Sequence, residues 1–231
     1  LGTRAKCGVQ TDEWATYSDP KAYVLGLMEN LRERGVKFLT CHVRDIRGNV
    51  IVGANGQREP FDQLVIAAGA WSHHLSNALG DYCPLETERG YNTTLPYAGV
   101  PLRRMVTFSQ DHFVATPMSS GLRIGGAIEF AGLDAPPNFS RAKGLLRLAR
   151  EYLPDLIVDG GAEWMGHRPS TPDSLPVIDR ASRHRNIFYA FGHGHLGLTS
   201  SATTGRLIAE LLSSNQVSLD LSPFRIGRFK I

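Results

Sequence analysis

The run NIFYAFGHGHLGLTSSATTGRLIAELL, residues 186–212, restricts the fold more than any other stretch of this chain. An apolar, β-prone stretch passes through Gly192, Gly194 and Gly197 into a helical pattern from about Leu198 to Leu212, so the chain must make a strand, a glycine loop and a helix in that order. In that context bare backbone amides can approach an anionic ligand at a helix N-terminus. The spacing is a literal G-x-G-x-x-G, but the dinucleotide fingerprint ordinarily opens a domain and is followed about twenty residues later by an acidic ribose ligand. Only 34 residues follow Gly197 in a chain of 231, and Asp220 lies near the required offset with little chain around it. The pattern alone leaves two readings open: a nicotinamide dinucleotide site, or a strand-to-helix joint with no ligand.

The rest of the chain alternates short elements. Asp19-Pro20 is a helix start, since the carboxylate can cap free amides while proline fills the first helical position. Val24, Leu27, Met28 and Leu31 then recur at helical spacing and Gly35 closes the segment, which predicts a helix over 20–34 packed by one face on a sheet. VKFLTCHV reads as a strand, NVIVGANGQREPF as a hairpin turning at Asn55-Gly56, and Leu64 to Ala68 as a fully buried strand. From Cys83 the runs PLRRMVTF, DHFVATPM and GLRIGGAIEF suggest an antiparallel meander, followed by a helix with Ala142, Leu145, Leu146, Ala149 and Leu153 near one face and Pro154 as its stop. Beyond Gly160, strand AEWMGH returns the pattern to α/β. The expected architecture is α/β plus α+β: one discontinuous domain, 15–82 with 160–231, holding an inserted antiparallel-sheet domain at 83–159, with 1–14 a strand or tail of either.

Composition excludes other classes. With 42% hydrophobic and 20% charged residues the chain can bury a sizeable core, and 24 glycines with 13 prolines show no repeat that would indicate a fibrous or low-complexity segment. The net charge is +3 with basic residues scattered, which argues against a nucleic-acid or membrane-surface partner. No window approaches the ~18 apolar residues of a membrane span. Cys7, Cys41 and Cys83 fit neither a disulfide framework nor a zinc knuckle. His193 and His195 lack the Cys, Asp or Glu that would complete a metal set, so no metal is expected. His73-His74 reads as a helix surface feature. There is no nucleophile elbow and no P-loop.

WMGHRPSTPDSLPVIDR followed by the glycine-rich run closely resembles the C-terminal signature of the flavin-dependent D-amino-acid oxidase superfamily, in particular the D-amino-acid dehydrogenase small subunit. LVIAAGAWS, LETERGY and GLRIGGAIEFAG extend the similarity in the same order. The resemblance implies an incomplete FAD-binding Rossmann-like domain with an inserted substrate domain, and FAD as cofactor. The strand, GxGxxG loop and helix with which members begin do not precede Leu1, so the sequence is expected to be a piece of a longer protein or to be completed by another segment. A sheet lacking those strands is expected to show an open edge, an uncovered apolar helix face and self-association.

The resemblance also distributes roles. Arg168, in HRPSTPD, matches the arginine that clamps an amino acid's α-carboxylate, and a guanidinium offers the planar donor fork such a group needs. Taken alone it would read as a surface arginine before a proline turn. His193 matches the histidine of the family GHG segment near the flavin edge. Tyr91, with Tyr97, is expected at the mouth of the substrate domain, although core packing suits either. Ala67, Ala68 and Gly69 would run beside the flavin phosphates and ribityl chain, Gly192 and Gly194 would let the backbone pass close to the ring, and Gly197, Leu198 and Thr199 would present amides to the charge that accumulates on it. The implied reaction is FAD-dependent oxidative deamination of a small, D-configured amino acid to a keto acid and ammonia, with a quinone or O2 as electron acceptor, in the cytoplasm or peripherally at the inner membrane. Two alternatives accompany it: a glycine- or sarcosine-type oxidase using O2, and a non-catalytic piece that binds no flavin.

Overall fold

In the computed structural model, which describes residues 2–229 apart from 3, 214 and 215, the chain divides into two compact units. The first comprises Leu1–Phe38, Arg89–Glu129 and Pro136–Gly166; the second comprises Leu39–Glu88, Phe130–Ala135 and His167–Ile231. The segment expected as an undecided tail, 1–14, falls in the first unit, and its residues 1 and 3 lie outside the described residues.

The first unit holds most of a five-stranded sheet, of which residues 86–88, 130 and 167–170 belong to the second unit. Its strands are β5 (Glu86–Leu95), β6 (Val106–Phe108), β7 (Phe113–Met118), β8 (Gly121–Phe130) and β9 (Ala162–Ser170), in the order β6-β7-β8-β5-β9. The expected meander is present, but AEWMGH joins it as β9 rather than returning to the α/β sheet, and the second unit resumes only at His167. Helix α3 (Ser140–Tyr152) buries Ala142, Leu145 and Ala149, as its spacing predicts, and Tyr152, which the spacing does not mark; Leu153 just after it is buried and Leu146 is partly buried. Their core partners include Leu95, Phe108, Phe113 and Ile124. Phe113 is fully buried, stacks on Phe108 at 4.3 Å between centroids and meets Tyr152 edge-on.

The N-terminal helix is placed as its sequence requires and packed as it does not. Helix α1 (Pro20–Glu33) begins with the Ala22 amide donating to Asp19 Oδ1 at 2.9 Å, and it ends before Gly35 in the left-handed region at φ +87°. It buries no residue: Val24, Leu27 and Leu31 are 47%, 48% and 39% exposed, because no element among the described residues covers that face. It also falls in the first unit, not with the α/β sheet.

The second unit contains two small sheets. One is the antiparallel ladder β1 (Val43–Arg47), β2 (Val50–Gly53) and β3 (Arg58–Pro60), whose hairpin turns at Asn55-Gly56 as expected, with Gly56 at φ +84° and the Gln57 amide donating to Asn55 Oδ1. VKFLTCHV is irregular until Val43, so that expected strand is largely absent. The other sheet has the order β10-β11-β4, formed by β4 (Leu64–Ile66), β10 (Val177–Arg180) and β11 (Ile187–Phe191). β4 runs parallel to β11, with Tyr189 opposite Ile66. β4 is shorter and less covered than expected, since it is an edge strand: Ile66 alone is buried, and Ala67 and Ala68 lie beyond its end and are exposed. Helix α2 (Ser72–Ala78) follows it, and α4 (Gly197–Leu212) follows β11. His73 and His74 lie on α2, their rings 4.0 Å apart.

Truncation of Phe113 to alanine removes a stacked ring from a close-packed site, and the variant is expected to lose about 3–5 kcal/mol of unfolding free energy. Urea titration followed by near-ultraviolet circular dichroism measures it.

Candidate active site

Two parallel strands end side by side in the second unit, and their C-terminal ends open the site. β4 leads into Ala67, Ala68 and Gly69, and β11 leads into Gly192–Leu196 and then α4. Ligands of open α/β sheets bind outside such carboxyl ends. The glycines are needed for backbone reasons. Gly69, Gly192 and Gly194 lie at φ +55°, +82° and +51°, conformations that cost an L-residue about 1–2 kcal/mol. A Cβ on Gly192 would also sit 3.0 Å from Thr171 Cγ2.

The loop folds back onto the end of β9. The Gly194 amide donates to the Pro169 carbonyl at 2.8 Å, and Ser170 and His193 form an isolated antiparallel bridge. Arg168, one position before Pro169, is thereby held near the glycine loop that leads into α4. The N-terminus of α4 carries no side-chain cap and no acidic residue in its first turn, so its leading amides, from Gly197, Leu198 and Thr199, present the positive end of the helix. His193 points into the unit, with Nε2 3.0 Å from Thr204 Oγ1, and burial holds its pKa below the ordinary 6.5.

Arg168 is half-buried and its Nη1 has no hydrogen-bond partner. Burial disfavours its charge, and the carboxylate of Glu88 opposes that effect. Strand alternation explains why the two influence one another. Thr87 Oγ1 and His167 Nδ1 meet at 2.9 Å between the neighbouring strands β5 and β9, and the edge of Trp71 packs on the His167 ring at 5.4 Å. With Thr87 and His167 on one face, the next residues, Glu88 and Arg168, turn to the other. The sequence alone does not single out Glu88; an ionisable residue within the β run LETERGY is the available signal.

Tyr91 must be reassigned. It is 1% exposed, donates its hydroxyl to Glu129 Oε2 at 2.5 Å and accepts from the Asn138 amide, all within the first unit. Its hydroxyl is committed to holding the 136–139 segment on the sheet, so it does not stand at a pocket mouth. Tyr97 is 81% exposed.

Beside Ala67 and Ala68 lies an apolar cleft of about 330 Å³ in the second unit, bounded by Val43, Ile46, Ile51, β4 and Leu75. Among the described residues there is no cluster of three or more metal-ligating side chains, and no helix is long and apolar enough to cross a membrane.

The pKa of His193 gives a signed prediction. A histidine held neutral in the folded state and free to protonate near 6.5 when unfolded lets the unfolded state bind more protons, so its contribution to stability is lost as pH falls through 6.5 toward the lower folded value. His193→Asn lacks that component. The difference in Tm between wild type and variant is therefore expected to narrow on acidification below about pH 6.5, measured by calorimetry across that range.

Comparison with known proteins places the chain in a family. The model of a family of FAD dependent oxidoreductases, DAO, matches residues 3–211. A D-amino-acid oxidase of Bradyrhizobium diazoefficiens is 40% identical over 237 residues, covering 99% of this chain and 56% of that protein. A D-amino acid dehydrogenase of Paramagnetospirillum magneticum is 36% identical, covering 73% of this chain and 40% of its own length. Among solved structures, glycine oxidase from Geobacillus kaustophilus superposes with a TM-score of 0.70 at 28% identity, covering 82% of this chain and 52% of that one. The chain thus spans about half the length of the curated relatives it matches, and it belongs to the DAO family of FAD dependent oxidoreductases.

Proposed function

We propose that this chain carries the substrate-carboxylate clamp and the flavin-facing turn of an enzyme that oxidatively deaminates a small amino acid of D configuration. The observation that carries the reading is the orphaned guanidinium nitrogen of Arg168. A buried donor without a partner costs about 1–3 kcal/mol, and a carboxylate accepting both arms of the fork would recover it.

The chain's residues fit the pyrimidine end of a flavin. The uncapped amides of α4 favour negative charge placed against them. Gly192 and Gly194 add no side chain of their own to the turn, where Thr171 and Ser170 already pack against them, and exposed Ala67 and Ala68 lie at the end of β4. FAD, when bound, supplies the hydride acceptor for the substrate's α-hydrogen. Arg168 fixes the carboxylate and so the face that the α-carbon presents. His193, kept neutral by burial, adds no cation that would compete with Arg168 for the carboxylate. Hydrolysis of the imino acid then gives a keto acid and ammonia. The electron acceptor is a quinone or O2, and the relatives' names include both a dehydrogenase and an oxidase.

The test uses the full-length protein loaded with FAD. Anaerobic addition of a panel of D- and L-amino acids is expected to bleach the flavin band with D enantiomers; a spectrum unchanged by every amino acid would refute the assignment. Peroxide produced in proportion to substrate on admitting air identifies an oxidase, and dye reduction without peroxide a dehydrogenase. Arg168→Lys keeps the charge but loses the fork, and is expected to raise KM ~10-fold or more with little change in melting temperature.

A further inference from the structure

Arg168 is one of two opposite charges with unused hydrogen-bonding capacity in this region of the second unit. Glu88 is 21% exposed in its side chain, yet its Oε2 is buried and accepts no hydrogen bond. The basic side chain beside it is His195, whose Nδ1 lies 3.5 Å from that oxygen without hydrogen-bond geometry, on a side chain 52% exposed. A buried carboxylate oxygen without a donor is expensive, as is the unpaired guanidinium nitrogen. The two groups sit on the same face of neighbouring strands, yet they form no ion pair with one another. Other carboxylates of the unit are served: Asp81 accepts from the Ser182 amide and the Tyr189 hydroxyl, and Asp179 accepts from the Ile226 amide.

A zwitterionic α-amino acid has the complementary pair, an anionic acceptor and a cationic donor on one carbon. We propose that Glu88 is the amine-recognising residue of the site: its free oxygen accepts from the substrate's α-amino group while Arg168 holds the carboxylate, so the two together select an α-amino acid over an α-hydroxy acid of the same shape. This assignment rests on Arg168 as the carboxylate clamp. Donors at both ends of the ligand fix its rotation about the bond joining the α-carbon to the carboxylate, which a single clamp does not.

The experiment compares 2-aminoisobutyrate with 2-hydroxyisobutyrate. Both carry the carboxylate and neither has an α-hydrogen, so binding to the full-length FAD-loaded protein is read without turnover, by calorimetry and by perturbation of the flavin spectrum. Wild type is expected to bind the amine tighter. Glu88→Gln is expected to weaken the amine ~10-fold or more while changing the hydroxy acid less than twofold, and Glu88→Asp, which keeps the charge, to restore part of the preference. The amine-to-hydroxyl ratio within one sample is independent of the fraction folded. Equal weakening of both ligands in Glu88→Gln, or weakening of neither, overturns the assignment. If wild type binds both ligands equally, the Arg168 clamp stands and Glu88 falls; if it binds neither, the clamp itself fails and Glu88 with it.

Discussion

The hydrogen bond from the Gly194 amide to the Pro169 carbonyl, with the Ser170–His193 bridge beside it, is the contact on which the site depends. It ties the end of β9 to the turn that leaves β11, and these segments are some twenty residues apart along the chain. Without that tie, Arg168 would be an arginine before a proline turn and α4 a helix with an uncapped start. The tie needs two glycines at positive φ, and at Gly192 it also needs the absence of a Cβ against Thr171. The threonine is itself fixed, donating its hydroxyl to the Leu175 carbonyl at 2.7 Å. A backbone constraint thus sets the position of a charged side chain.

Satisfied charges show by contrast which groups are held open. In the first unit, Glu129 accepts from Tyr91 and Arg141 and lies 3.7 Å from buried Arg89; these donors, Tyr91 foremost, hold its pKa below the carboxylate range. Asp111 accepts from the Tyr152 hydroxyl and from Arg4. In the second unit, Tyr189 is buried against Asp81, and burial first, then that carboxylate, pushes the phenol's pKa strongly upward, so it stays a donor. Such networks specify packing and leave no capacity for a ligand. Arg168 and Glu88 differ because polar atoms there are desolvated and not used.

Much of this was legible in the sequence because it is local. The Asp19 cap, the Asn55-Gly56 turn, the apolar face of α3 and the strand–glycine–helix run all depend on residues within a few positions of one another. What was not legible is non-local. Nothing in AEWMGH says which sheet it will join, and β9 goes to the antiparallel one. Tyr91 reads equally as a pocket residue or a core residue until Glu129, thirty-eight residues away, is seen to accept its hydroxyl at 2.5 Å. Glu88 was missed for the same reason: a sequence reveals that a carboxylate is present but not whether a donor reaches it.

Helix α1 and strand β4 show a further limit of periodicity. Apolar residues at i, i+3, i+4 and i+7 mark a face selected for burial, and α1 forms with the expected cap and stop although that face is exposed. A helix of 14 residues gains little from propensity alone in water, so its apolar stripe is best understood as half of a packing interaction. β4 is similar at its open edge: Leu64 and Val65 are half-buried, packed in part on the cores of the unit, and an apolar cleft rather than a further strand lies along them. Contiguous apolar surface of this kind marks an interaction face in a soluble protein. The spacing of hydrophobic residues therefore encodes that a surface is to be covered, and the identity of what covers it resides in the geometry of the partner.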